Sequence, residues 1–257
     1  MSAASPVRRV VLVVLDGLRP DAIPRFALPN LTELAGQSAY TLLGRSVQPS
    51  VTACAMASLL TGAAPERHGL QSERFHLPRA KGELHPLPRH LAAHGLPTSA
   101  FLASMPLLFG SIARRIAAHA GVSRVKFSGR GALDILSVAR PTLRDQREGL
   151  ILLHWPDADR AGHAEGWMSE EYGKAAWEMD AALGALVRGV DLRDPETLLI
   201  ALADHGGAVR RRELGAGTTL LDVPATICWA LGLPQPESYA GRALVGAFES
   251  LPVVAAA

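Results

Sequence analysis

VVLVVLD (residues 10–16), LILLHWPDADRAGH (residues 150–163) and TLLIALADHGG (residues 197–207) share one pattern: an apolar run that breaks off at aspartate and histidine. Such continuous runs, rich in β-branched residues or leucine, form strands covered on both faces. In an open α/β sheet the loops at the carboxyl ends of the strands converge on the ligand crevice, so residues distant in sequence meet there. Asp16, Asp159, His163, Asp204 and His205 would then share one edge. Carboxylates and imidazoles gathered in this way point to a metal site.

The rest of the chain agrees with a sheet protein of this class. Its 257 residues, 48% of them hydrophobic, suffice for a full core, and without a linker or low-complexity tract they are expected to form a single domain spanning residues 1–257. A net charge of +2 and one short basic run, Arg210 to Arg212, argue for a solvated loop and against a nucleic-acid surface. Cys54 and Cys228 lack metal or redox spacing and read as buried free thiols. Arg8 and Arg9 precede an apolar run that stops at Asp16 without a small-residue cleavage site, and no stretch approaches the ~20 apolar residues of a membrane span. A soluble cytoplasmic protein with no membrane partner is expected. Nothing in the chain specifies an oligomeric state.

Strands are expected at Val10 to Leu15, Thr98 to Leu102, Gly149 to His154 and Thr197 to Ala203. Helices are expected at Leu31 to Ala35, Val51 to Leu60, His90 to His94, Pro106 to Ala120 and Pro224 to Leu231. A longer helix, capped by Ser169, carries Tyr172, Ala176, Met179, Leu183, Leu186 and Val190 at three- and four-residue intervals. Alternating strands and helices imply an α/β three-layer sandwich, a mostly parallel central sheet with helices on both faces.

Thr52 stands at the start of the second of these helices. A hydroxyl there lies where unpaired amides and the helix dipole favour negative charge, which suits an alkoxide and the phosphate that it attacks. A threonine hydroxyl is weak at neutral pH, and a metal ion is one of the few devices that lower its pKa enough. The structural alternative makes Ser50 or Thr52 a simple helix cap, DHG a turn, and the segment holding Asp159 and His163 a solvated loop.

The combination VVLVVLDGLRPD, VTACAMASLLTGAAPERHGL, WPDADRAGHAEG, ALADHGG and DVPATICWALGLP resembles the alkaline phosphatase superfamily in its nucleotide pyrophosphatase/phosphodiesterase branch. The resemblance implies an alkaline phosphatase-like fold and a hydrolase acting on a small phosphate ester through two divalent metal ions, zinc with manganese as the alternative. It implies a phosphothreonine formed at Thr52. By position, Asp16, Thr52, Asp204 and His205 match the ligands of one ion, and Asp159 and His163 match two of three ligands of the other, with Asp157 as an out-of-register rival to Asp159.

The chain departs from the family pattern in two places. No histidine follows His205, where the family places its third ligand; Glu213, beside Leu214 and Gly215, is the candidate substitute, and His68, His76 and His85 are alternatives from the earlier loop. After His68 and Gly69 the family commonly carries an asparagine that donates to a phosphoryl oxygen, and this chain reads Gln71, Ser72, Glu73. Arg74, Arg79 and Arg160 are candidate phosphate contacts. A phosphonate hydrolase and a catalytically degenerate member that binds a phosphorylated ligand are the competing readings. A sulfatase is disfavoured because Cys54 is followed by Ala55, Met56 and Ala57. A phosphoglycerate mutase is disfavoured because the chain has no room for its inserted domain.

Overall fold

Every residue of the run from Arg9 to Leu15 is buried, as a strand with helices on both sides requires. The computed structural model describes residues 7–72, 80–190, 194, 196–207 and 217–247. In chain order these form β1 (Arg9–Leu15), α1 (Ala22–Arg25), α2 (Pro29–Gly36), α3 (Thr52–Thr61), α4 (Pro65–His68), α5 (Leu87–Ala93), β2 (Thr98–Leu102) and α6 (Leu107–His119). There follow β3 (Arg124–Phe127), α7 (Ala132–Asp145), β4 (Gly149–Trp155), α8 (Asp157–Glu165), α9 (Glu170–Gly189), β5 (Thr197–Leu202) and α10 (Asp222–Ala230). The described strands pair in parallel in the order β3-β2-β4-β1-β5.

Because successive strand residues point to opposite faces, β1 divides its side chains between two cores. Val11, Val13 and Leu15 pack with Ile151, Leu153 and Trp155 of β4 against α7 and α9, through Ile135, Ala139, Ala176, Met179 and Leu183. Val10, Leu12 and Val14 pack with Leu150 and Leu152 against α3, α5 and α10, through Cys54, Leu59, Leu91 and Ile227. The expected three layers are therefore present. Cys54 and Cys228 are buried, and neither is in a disulfide.

Besides the single turns Ala22–Arg25, Pro65–His68 and Val245–Ala247, three elements lie where no regular structure is expected from the sequence. Asp157–Glu165, a loop in the structural alternative, is the helix α8. Its polarity conceals it, since mostly one turn touches the core. Helix α7 presents Ile135, Leu136, Ala139 and Leu143 at helical spacing and carries Pro141 inside it, and β3 is a short edge strand with no fully buried residue. The helix expected at His90 starts earlier, at Leu87, with Pro88 in its first turn, where proline is tolerated.

Two buried charged groups tie the layers together. The Arg9 guanidinium donates to the carbonyls of Leu143 at 2.7 Å and Gln146 at 3.2 Å and to Thr197 Oγ1 at 3.0 Å, binding β1 to the end of α7 and the start of β5. Asp180 of α9, fully buried, accepts from the Asn30 amide at 3.1 Å, its side-chain nitrogen at 2.7 Å and the Leu31 amide at 2.8 Å. It thereby satisfies amides in the first turn of α2 that have no partner within the helix. Asp180→Ala should lower the unfolding free energy by about 3 kcal/mol, read as a lower urea midpoint. A midpoint equal to that of the parent would show that these bonds contribute nothing net.

Candidate metal centre

Asp16 follows β1 directly, and the two strands continue their pairing past it. Its amide donates to Trp155 O at 3.0 Å, and its carbonyl accepts from the Asp159 amide at 3.0 Å. The next residue must leave the sheet within the space that this approach allows. Gly17 does so with φ +70°, and a Cβ there would stand 2.7 Å from Asp159 Cα, so only glycine fits. The Tyr172 hydroxyl donates to Gly17 O and accepts from the Arg19 amide, both at 2.9 Å, fixing this exit loop from α9.

His205 Nε2 is the point at which the strand ends meet. It lies 2.9 Å from Thr52 Oγ1, 3.3 Å from Asp16 Oδ1, 3.8 Å from Asp159 Oδ1 and 3.8 Å from Asp204 Oδ2. Thr52 Oγ1 also donates toward Asp16 Oδ1 at 3.3 Å. Thr52 is the first residue of α3, whose N-cap is Val51 in extended conformation, so neither Ser50 nor Thr52 caps the helix. Asp204 anchors the segment: its Oδ1 accepts from the His205 amide at 3.0 Å and the Gly17 amide at 3.4 Å, while its carbonyl accepts from the Ser46 hydroxyl. The structure thus gathers Asp16, Thr52, Asp159, Asp204 and His205.

His163 stands at the rim. The helical spacing of α8 brings its Nε2 to 3.4 Å from Asp159 Oδ1, with 59% of the side chain exposed. Trp167 packs edge-on against its ring at 5.5 Å between centroids, and a Cβ on Gly207 would stand 1.6 Å from Trp167 Cδ2. Asp157, the out-of-register rival, turns elsewhere and accepts from the Ala132 amide at 3.0 Å, at the start of α7. Burial pushes its carboxyl up to about 6. His68 is a structural residue, held by Ser58 Oγ at 2.9 Å and by the Leu70 amide at 3.1 Å. His85 meets Ser238 Oγ at 3.1 Å and belongs to neither His/Asp cluster. Arg160 is half-exposed and lies 3.9 Å from Asp157. Glu213, His76, Arg74 and Arg79 lie outside the described residues.

Sequence reasoning missed His154, the penultimate residue of β4, hidden in an apolar run. Its Nε2 lies 3.5 Å from Asp16 Oδ2. The only signal was an imidazole interrupting LILLHW, five residues ahead of Asp159.

The electrostatics of the cluster call for positive charge. Burial disfavours the charged form of His205, but its hydrogen bond with Asp16 and the charges of Asp204, Asp16 and Asp159 raise it to about 9. Burial and the neighbouring Asp16 push Asp204 up to about 7. Burial pushes Asp16 in the same direction, but the hydrogen bond with His205 and neighbouring charges hold it below its ordinary value. Asp204 Oδ2 and His154 Nε2 are buried and make no hydrogen bond among the described residues. Ligand atoms of Asp16, Asp159 and His205, and of Asp16, His154 and Asp204, lie within 4.8 Å of one another. Carboxylate oxygens and imidazole nitrogens in these sets fit a divalent transition ion.

Two outcomes test this geometry. Asp159→Ala should lose bound ion and keep its stability, whereas Asp157→Ala should keep the ion and lose about 1 kcal/mol from the start of α7, by ion analysis and thermal unfolding. The opposite assignment would restore Asp157 as the ligand. Near neutral pH, below its folded pKa, His205 carries a proton that an arriving ion must displace. Adding zinc to chelator-treated protein should therefore release a proton, with affinity rising toward pH 9; a calorimetric heat independent of buffer would contradict this.

Comparison with known proteins agrees with the site. Residues 10–122 and 92–212 match the family model of type I phosphodiesterase / nucleotide pyrophosphatase. The chain is 27% identical over 221 residues to an uncharacterized pyrophosphatase/phosphodiesterase of Schizosaccharomyces pombe, covering 77% of this chain and 44% of the relative, so it spans less than half of that protein. Among solved structures, an inactive form of murine ectonucleotide pyrophosphatase / phosphodiesterase 5 in complex with AMP superposes with a TM-score of 0.61 at 18% identity, covering 77% of this chain and 57% of that one. The lipoteichoic acid synthase of Listeria monocytogenes gives 0.65 at 12% identity, over 90% and 74%. At these identities the two structures share the fold.

Proposed function

The chain belongs to the type I phosphodiesterase / nucleotide pyrophosphatase family, and we propose that it is a metal-dependent phosphoesterase in which Thr52 attacks phosphorus. The observation that carries this reading is the Thr52 hydroxyl at the start of α3, 2.9 Å from His205 Nε2 and 3.3 Å from Asp16 Oδ1. A small phosphate ester is the substrate class that fits this arrangement, and a nucleotide ester is consistent with the AMP bound by the murine relative.

Asp16, Thr52, Asp204 and His205 would hold one ion. Asp159 and His163 would hold a second, with Glu213 in place of the family's third histidine. Zinc fits the nitrogen donors, and the added carboxylate would bring manganese into range. Such ions lower the pKa of a bound hydroxyl and offset charge on phosphoryl oxygens.

Thr52 Oγ1 donates toward Asp16 Oδ1 at 3.3 Å, and its proton would pass to solvent as the hydroxyl is activated beside the ion. The new Oγ–P bond forms as the bond from phosphorus to the leaving oxygen breaks, and the departing alcohol takes up a proton. Water then attacks the phosphothreonine, restoring the hydroxyl and freeing phosphate or a phosphate monoester. The unpaired amides at the start of α3 favour the negative phosphoryl oxygens throughout.

The chain has no histidine after His205, which favours the competing reading of a member that binds a phosphorylated ligand without turnover. Hydrolysis of bis-p-nitrophenyl phosphate and p-nitrophenyl phosphate by zinc- and manganese-loaded protein separates the two. Turnover should fall by about 10³-fold or more in Thr52→Ala, and the faster ester identifies the class. No turnover with either ion would leave the binding reading. Glu213→His should shift ion preference toward zinc, and an unchanged preference would remove Glu213 from the ligand set.

A further inference from the structure

Asp16 presents its two carboxylate oxygens to different surroundings. Oδ1 faces Thr52 and His205, and Oδ2 faces His154 Nε2 at 3.5 Å. His154 pairs in register with Val14 of β1, so its backbone is fixed by the sheet and its side chain is carried at the same edge as Asp16. Only 10% of that side chain is exposed, and Asp204 is fully buried. Burying an imidazole nitrogen and a carboxylate oxygen without a hydrogen-bond partner costs free energy. Here both such atoms, His154 Nε2 and Asp204 Oδ2, belong to one group with Asp16.

The set differs from the one around Thr52. Asp204 Oδ1 is committed to two backbone amides, which leaves Oδ2 free to ligate. The nearest cation, His205, meets Asp16 through the other oxygen, Oδ1, at 3.3 Å and stands 3.8 Å from Asp204 Oδ2, beyond hydrogen-bond distance. A cation coordinated by His154, Asp16 and Asp204 would satisfy both unpartnered atoms at once.

We propose that His154, with Asp16 and Asp204, holds a divalent cation of its own on the His154 side of Asp16, and that Asp16 and Asp204 are shared between this position and the one beside Thr52. The inference goes beyond the phosphoesterase reading but rests on its assignment of Asp16 and Asp204 as ligands. One nitrogen and two carboxylate oxygens suit manganese, iron or zinc better than magnesium or calcium. Occupation would hold Asp16 Oδ1 toward Thr52 by fixing the opposite oxygen, so the cation acts on the nucleophile through a positioning residue.

The test is ion content per chain at equilibrium with manganese or zinc, for the parent, His154→Gln and His154→Glu, with far-UV circular dichroism recorded for each. His154→Gln should bind one ion fewer while the remaining ions keep their affinity. His154→Glu, which restores a ligand, should regain the ion and move its preference toward magnesium; it also carries the test if the glutamine variant fails to fold. An unchanged ion count in His154→Gln would overturn the proposal while leaving the phosphoesterase reading intact. Loss of every ion together would also overturn it, marking His154 as a support for Asp16 alone. A parent chain that binds no ion would overturn both.

Discussion

The centre depends on crowding like charges into a buried space. Asp16, Asp159 and Asp204 all approach His205, and the mutual repulsion and desolvation of three carboxylates would scatter them in a flexible chain. The parallel ladder prevents it. Val14 pairs with His154 on one side and Leu202 on the other, so the three strands end together. A shift of one residue in β4 would exchange its two faces, turning Trp155 toward α3 and His154 toward α9. The apolar side chains of both cores resist that shift, and the site is held by hydrophobic burial remote from its own chemistry.

Around this frame, polar contacts set the fine positions. Tyr172 reaches from α9 to the loop after β1, and Ser46 fixes the backbone of Asp204. Arg19 pairs with Asp21 at 2.7 Å and donates to Gly207 O at 3.2 Å, joining the loop after β1 to the one after β5. Each contact comes from an element outside the three central strands. Helix α9 and the loops around the sheet therefore serve as a support that limits how far carboxylates can move apart when their charges are not balanced.

The central strands were legible because their signal is cumulative: four to six apolar residues in succession leave few alternatives. Asp16, Asp204 and His205 were legible with them, being displaced from the strand ends by one to three residues. Helix α8 was not. In DADRAGHAE only Asp157, Ala158 and Gly162 are buried, and no apolar periodicity survives. Asp159 was separated from Asp157 in the sequence by resemblance alone, whereas in the fold the two point to different partners, the His205 cluster and the start of α7. His154 was lost for the opposite reason, since a polar residue inside a strand run reads as an interruption of the core. The placement of Thr52 on α3 was legible, but not its contact with His205, which depends on loops of no regular pattern.

Trp167 follows the end of α8 and lies over Gly207 so closely that no side chain fits beneath it, while its ring also covers Gly162. Two glycines in separate segments are thus bound to a single aromatic residue by lack of space. Their identities are not independent variables. Among related chains, a bulkier residue at either glycine position should appear only where the tryptophan has been replaced by something smaller, so the three positions should change as a unit or remain as they are.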